Sequence, residues 1–164
     1  MSATHAIPTL EELERQEAAL VLSEFTPDTA WELGSALYRA AKAQAAPVVI
    51  DIRSSDRTYF HAALPGSVPD NDDWARRKGA VVLKKHRSSL AVGLELDTAG
   101  DTVGTHLGME PRDFAAHGGG FPVRVANVGV VAAIVVSGLA SEDDHALIVE
   151  VLKAHVETHR DAGA

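Results

Sequence analysis

Apolar positions along this chain fall into two alternating rhythms. Ala30, Leu33, Leu37, Ala40 and Ala41 follow at three- and four-residue steps, the spacing of one buried helix face. Thr26-Pro27-Asp28 precedes them as a cap, a first-turn proline and an acid favoured by the helix dipole. Pro47 is expected to end that helix. Val48–Arg53 is then nearly continuous, apolar and largely β-branched, which predicts a strand. Ser54-Ser55-Asp56 reads as a turn, and Arg57–Leu64 as the hairpin partner. Upstream, Thr9-Leu10-Glu11-Glu12 fits a capping box for a short helix to about Ala18, followed by a brief strand at Leu20–Leu22.

The second half repeats the pattern. Asp70-Asn71-Asp72-Asp73 is rich in cap formers, and one long helix is expected from there to about Gly93. Residues 94–116 carry little periodicity. Two strands, Gly120–Ala126 and Val128–Val136, meet around Asn127 and Gly129, residues that suit a hairpin turn. Ser141-Glu142-Asp143-Asp144 opens the last helix, whose buried side is read as Ala146, Val149, Leu152 and Val156. The order α-β-α-β-β-α-β-β-α predicts an α/β (α+β) fold with one mainly antiparallel sheet flanked by helices. The 164 residues suit one domain, 1–164, with tails at 1–8 and 160–164.

Composition narrows the chemistry. With no cysteine, disulfides, thiolate catalysis and cysteine-ligated metal sites are excluded. A net charge of -8 argues against general nucleic-acid binding. The longest apolar run, Val128–Val136, is far short of the ~20 residues of a membrane-spanning helix. Met1–Thr9 lacks the basic-then-apolar pattern of a secretory signal, so a soluble, cytoplasmic protein is expected. Against the acidic background, Arg76, Arg77, Lys78, Lys84, Lys85 and Arg87 cluster, while acids gather elsewhere. That asymmetry suits subunits pairing basic with acidic surfaces.

Three features carry candidate chemistry. His117-Gly118-Gly119-Gly120-Phe121-Pro122 is costly to order, and bare backbone lets a ligand or partner approach closely. Its amides also suit an anion. On a helical wheel, Lys78 and Lys85 fall in the same arc as Trp74, Val81 and Val92, where an unpaired ammonium is heavily penalised. They either snorkel past the core edge or meet a negative charge: Asp51, another subunit, or an anionic ligand. The remaining basic face is read as solvated. His117 and His145 are the candidate acid–base residues. His155 and His159 share a helix face near its C-terminal end, where cations complement the dipole, and no metal ligand set is expected.

The ordered string Trp74-Ala75-Arg76-Arg77-Lys78, Ser88-Ser89, His117–Pro122, Val135–Leu139 and Asp143-Asp144-His145 resembles the UPF0303 family of uncharacterised proteins. That family is similar to the broader haem-degrading and haem-binding group that includes GlcG. The likeness runs from about Leu10 to His155. It implies a profilin-like domain, a homo-oligomer built from dimers, and haem as a cofactor. Glu11 and Glu14 are similar to an iron-binding pair of the wider group. The expected function is therefore a cytosolic oligomeric protein that binds haem or another anionic small molecule. Ligand-binding candidates are Lys78, Lys85, His117, Gly118, Gly119, Gly120, Phe121, Asp51 and Arg53. The alternatives are an enzyme using His117 or His145, and an adaptor subunit without a small ligand. No nucleic-acid or membrane partner is expected.

Overall fold

The computed structural model describes residues 3–105 and 108–163. Its elements are α1 (Leu10–Ala19), β1 (Val21–Leu22), α2 (Pro27–Ala43), β2 (Val49–Arg53), β3 (Thr58–Ala63), α3 (Pro69–Lys85), α4 (Ser89–Ala99), β4 (Gly120–Val125), β5 (Gly129–Ser137) and α5 (Ser141–Ala162). The five strands form one sheet in the order β1-β4-β5-β2-β3. The expected hairpins β2–β3 and β4–β5 both form, and β2 joins them by pairing antiparallel with β5. The short β1 is the exception, running parallel to β4 at the edge.

Alternation along the central strands sorts residues between the two faces. Ile50, Ile52, Ile134 and Val136 join Leu33 and Leu37 of α2 and Ile148 and Leu152 of α5 in the larger core. Val49, Ala133 and Val135 face the other way, against Ala75 and Val82 of α3. With helices on both faces, β2 is buried from Val49 through Ile52, which explains an apolar run broken only by the buried Asp51. Thr9 and Glu12 make the expected capping box on α1, and Thr26 caps α2 through Thr29. Ahead of α1, the amides of Thr4 and His5 donate to the Asp143 carboxylate.

Three expectations need correction. The single helix expected from Asp70–Asp73 to about Gly93 is two helices, the first starting at Pro69 and the second running on to Ala99. His86 adopts a left-handed conformation (φ 54°) and stops α3. Ser88 then caps α4 by accepting from the Ala91 amide. Arg87, between them, is held by Glu17 of α1 (2.8 Å) and Glu95 of α4 (2.6 Å). The buried side of α5 is also rotated from its expected position. Leu147, Ile148, Val151 and Leu152 are buried, as are Asp144 and His145, while Ala146, Val149 and Val156 are only partly covered. The helix continues to Ala162, past the expected start of the C-terminal tail.

Candidate functional site

The glycine turn lies where three elements converge. A methyl group on Gly118 would stand 2.2 Å from the carbonyl oxygen of Ser141, at the start of α5. One on Gly119 would meet the Val136 carbonyl of β5 at 2.2 Å, and one on Gly120 would press on Val82 of α3 at 2.8 Å. Gly119 also has φ +117°, a conformation that other residues rarely adopt. The bare backbone therefore admits the chain's own α5, β5 and α3. Its polar groups are used internally too: the Gly120 amide donates to Ser89 Oγ (2.8 Å), and Gly119 O accepts from the Val136 amide (2.8 Å). Ser89 Oγ in turn donates to the His117 carbonyl (2.5 Å). Ser89 thus ties both ends of the turn to the first residue of α4.

Lys78 lies directly beneath. Its side chain is 5% exposed, and its Nζ lies 3.0 Å from Asp144 Oδ2. Asp144 also accepts from the Gly138 and Leu139 amides at 3.2 and 3.0 Å. Burial pulls the Lys78 ammonium below the usual lysine range, and Asp144 opposes that pull. Burial likewise pushes the Asp144 carboxyl up, against Lys78 and the two amides. The lysine thus meets a carboxylate, as one sequence reading held, but the partner is Asp144 and not Asp51. Asp51 is fully buried and belongs to a separate chain of polar contacts. Arg53 grips it at 2.5 and 2.8 Å, and His61 bridges it to Asp72, with both contacts 2.8 Å.

Two adjoining clefts open beside the Lys78–Asp144 pair, sharing Trp74, His117 and Ser141. The smaller, of about 220 Å³, is also lined by Lys78, Asp144, Asn71 and Ser137. The larger, of about 610 Å³, is walled by Leu90, Leu94, Leu96, Val103 and Phe114, with Arg77 and Gly118 on its lining. His117 stands edge-on to Trp74 with ring centroids 5.3 Å apart, and the Arg77 guanidinium covers the Trp74 ring at 4.1 Å. Burial, then the charges of Lys78 and Arg77, lower the His117 imidazole below the usual histidine range. These influences favour the neutral imidazole, the form with a lone pair to offer.

The structure gathers Lys78, His117 and Gly118 around these clefts, with Gly119 and Gly120 packed behind them. Lys85 is half-buried at the end of α3 and lines neither cleft. Asp51 and Arg53 line neither. Phe121 is fully buried and packs against His145 with ring centroids 5.7 Å apart. His145 does not join His117: its Nε2 contacts Gln16 Oε1 (2.8 Å) inside the core. Glu11 is engaged by Arg15 at 2.8 Å. Residues not among the ligand-binding candidates prove central to the geometry: Ser89, Asp144, Trp74 and Arg77. The Ser88-Ser89 pair was the available signal, since serine favours a helix N-terminus over a helix interior.

The family model for haem degrading protein HbpS-like matches residues 25–153. The chain belongs to this HbpS-like family. A UPF0303 protein of Streptomyces coelicolor is 48% identical over 95% of this chain and 99% of its own length. A UPF0303 protein of Paraburkholderia xenovorans is 46% identical over 90% of this chain and 89% of its own. Among solved structures, the Ybr137w protein superposes with a TM-score of 0.84 at 30% identity, covering 95% of this chain and 91% of that one. HbpS superposes at 0.64 with 22% identity (80% and 89% covered), and a PduOC–haem complex at 0.65 with 17% (82% and 95% covered). These two bear on the fold, which is the profilin-like α/β arrangement that the resemblance implied. No helix among the described residues is long and apolar enough to cross a membrane.

Proposed function

We propose that this HbpS-like protein binds haem, or a similarly flat anionic tetrapyrrole, in the larger cleft, with His117 as the residue that meets the metal. The observation that carries this reading is the His117 imidazole on the lining of a largely apolar cleft, with Arg77 beside it and the acids Asp97, Asp101 and Glu142 on the same lining. The residues fit the group. A volume of about 610 Å³ lies within the ~300–1,000 Å³ usual for small-molecule sites, whereas the smaller cleft falls below that range. Leu94, Leu96, Val103 and Phe114 offer apolar walls for a macrocycle. The Arg77 guanidinium offers charge-assisted hydrogen bonds to a propionate, and a histidine is a common haem ligand.

Haem, when bound, supplies an iron centre for redox and oxygen chemistry. The chain's own part is to hold and orient. Ser89 fixes the His117 carbonyl, the packed glycines fix the backbone that follows, and Trp74 limits the ring's swing. The PduOC–haem complex among the structural neighbours, and the name of the family, support the same ligand class. A binding role is favoured over catalysis because His145, the second candidate acid–base residue, is turned into the core.

Titrating the purified protein with hemin and following the Soret band tests this reading. A saturable shift is expected, with affinity reduced at least about tenfold in His117→Ala and by a smaller factor in Arg77→Gln. Absence of saturable binding, or an unchanged spectrum and affinity in His117→Ala, would overturn it.

A further inference from the structure

Outside the residues of the His117 cleft, the sequence offered only His155 and His159, four residues apart on α5. The fold adds a third group. Glu32 of α2 reaches the same spot, and one donor atom from each of the three side chains lies within 4.8 Å of the others. The two imidazoles are 4.0 Å apart between centroids. His159 Nε2 lies 3.8 Å from Glu32 Oε2.

We propose that Glu32, His155 and His159 form a site for a divalent transition metal of the zinc class. Three details point to a ligand set and not merely a surface ion pair. First, His159 Nδ1 lies 2.9 Å from the His155 carbonyl. A carbonyl only accepts, so Nδ1 carries a proton and, in the neutral ring, Nε2 is the nitrogen with its lone pair toward Glu32. A backbone carbonyl fixing the tautomer in this way is a recurrent feature of metal-binding histidines. Second, the donor set of two imidazoles and one carboxylate matches the borderline softness of zinc. Third, both histidines line a cleft of about 490 Å³ between α5 and β1 that also holds Ser23. A metal here would keep a position open for water or a small ligand, as zinc sites with three protein ligands do. Bound donors sit roughly 3.3 Å apart at metal–ligand distances of about 2.0–2.1 Å. Glu32 and His159 are exposed, so small side-chain rotations close the remaining gap.

The site is separate from the His117 cleft, and its test is independent of haem. Zinc titrated against a chromophoric competitor should show one equivalent bound per chain. Because the ligands come from two helices, zinc should also raise the melting temperature. His155→Ala and His159→Ala should each weaken binding by at least about tenfold, and Glu32→Gln by a smaller factor. All three should lose the thermal shift, while His117→Ala keeps both binding and shift. Metal-free melting curves of the variants establish that they fold. No zinc-dependent shift in the wild type, or wild-type affinity in the His155→Ala/His159→Ala double variant, would overturn the proposal.

Discussion

Lys78 Nζ and Asp144 Oδ2 meet at 3.0 Å beneath the glycine turn, 66 residues apart in sequence and almost fully buried. The contact ties α3 to the start of α5. Removing one partner of such a pair leaves an uncompensated buried charge, which typically costs about 3–5 kcal/mol. Lys78→Met should therefore lower stability strongly, because the Asp144 carboxylate remains. Adding Asp144→Asn removes that charge and keeps one oxygen, enough to accept from the Leu139 amide, while the Gly138 amide loses its acceptor. The double variant should be more stable than Lys78→Met alone by chemical denaturation. If the two changes simply add, the pair does not couple the elements as described.

The glycines of the turn differ in kind from others with positive φ. Gly119 has both the unusual dihedral (φ +117°) and a carbonyl 2.2 Å from where a methyl group would sit. Gly129 has a similar φ of +114° but open space around it. Gly129→Ala should cost only the backbone strain, on the order of 1–2 kcal/mol. Gly119→Ala adds a clash with β5 that only a backbone shift can relieve, so it should cost clearly more or abolish folding. Equal melting temperatures for the two variants would show that close approach is not what the turn provides.

What could be read from the sequence follows the range of the forces involved. Thr26-Pro27-Asp28, the apolar run of β2 and the two hairpins are set by neighbours a few residues away, and all formed as expected. Lys78 was legible as an anomaly because a charge on an apolar arc is costly wherever its partner lies. The partner was not legible, since nothing local links residue 78 to residue 144. The break between α3 and α4 was hidden for a different reason. His86 is not a glycine, and its left-handed conformation is supported by the Ser88 cap and the Arg87 contacts with Glu17 and Glu95, which tertiary structure assembles. That hidden break also moved Ser89 to the first position of α4, from which it reaches the turn. At the candidate site the same division holds. His117 and Gly118 were found by motif, whereas Trp74 was read on the apolar arc of its helix and Arg77 on the basic face, and only the fold brings both to the cleft.

Ser89 offers a compact test of that assembly. Its hydroxyl donates to the His117 carbonyl and accepts from the buried Gly120 amide. Ser89→Ala leaves both groups without this partner, at a cost of about 1–3 kcal/mol. If the hydroxyl also positions His117, hemin affinity should fall in Ser89→Ala under conditions where the variant remains folded. Ser89→Thr keeps the hydroxyl and should recover part of that affinity. A loss of stability with unchanged hemin affinity would confine Ser89 to a structural role.

His145 predicts how stability depends on pH. Burial lowers its pKa from 6.5 to about 4, and its ring is packed beside Phe121 with no hydrogen-bond partner for Nδ1 among the described residues. The folded state therefore resists a proton that the unfolded chain accepts near pH 6.5. The contribution of neutral His145 is fully present above about pH 6.5, is lost progressively as pH falls, and is gone below about pH 4. A shift of this size corresponds to about 3 kcal/mol over that window. In His145→Gln the side chain does not titrate, so denaturation midpoints measured from pH 7 down to pH 4 should fall less steeply than in the wild type. His117 and His155, also lowered by burial, remain in both proteins, so the difference between the two profiles isolates residue 145. Parallel profiles would mean that the core opens to solvate the imidazolium at little cost.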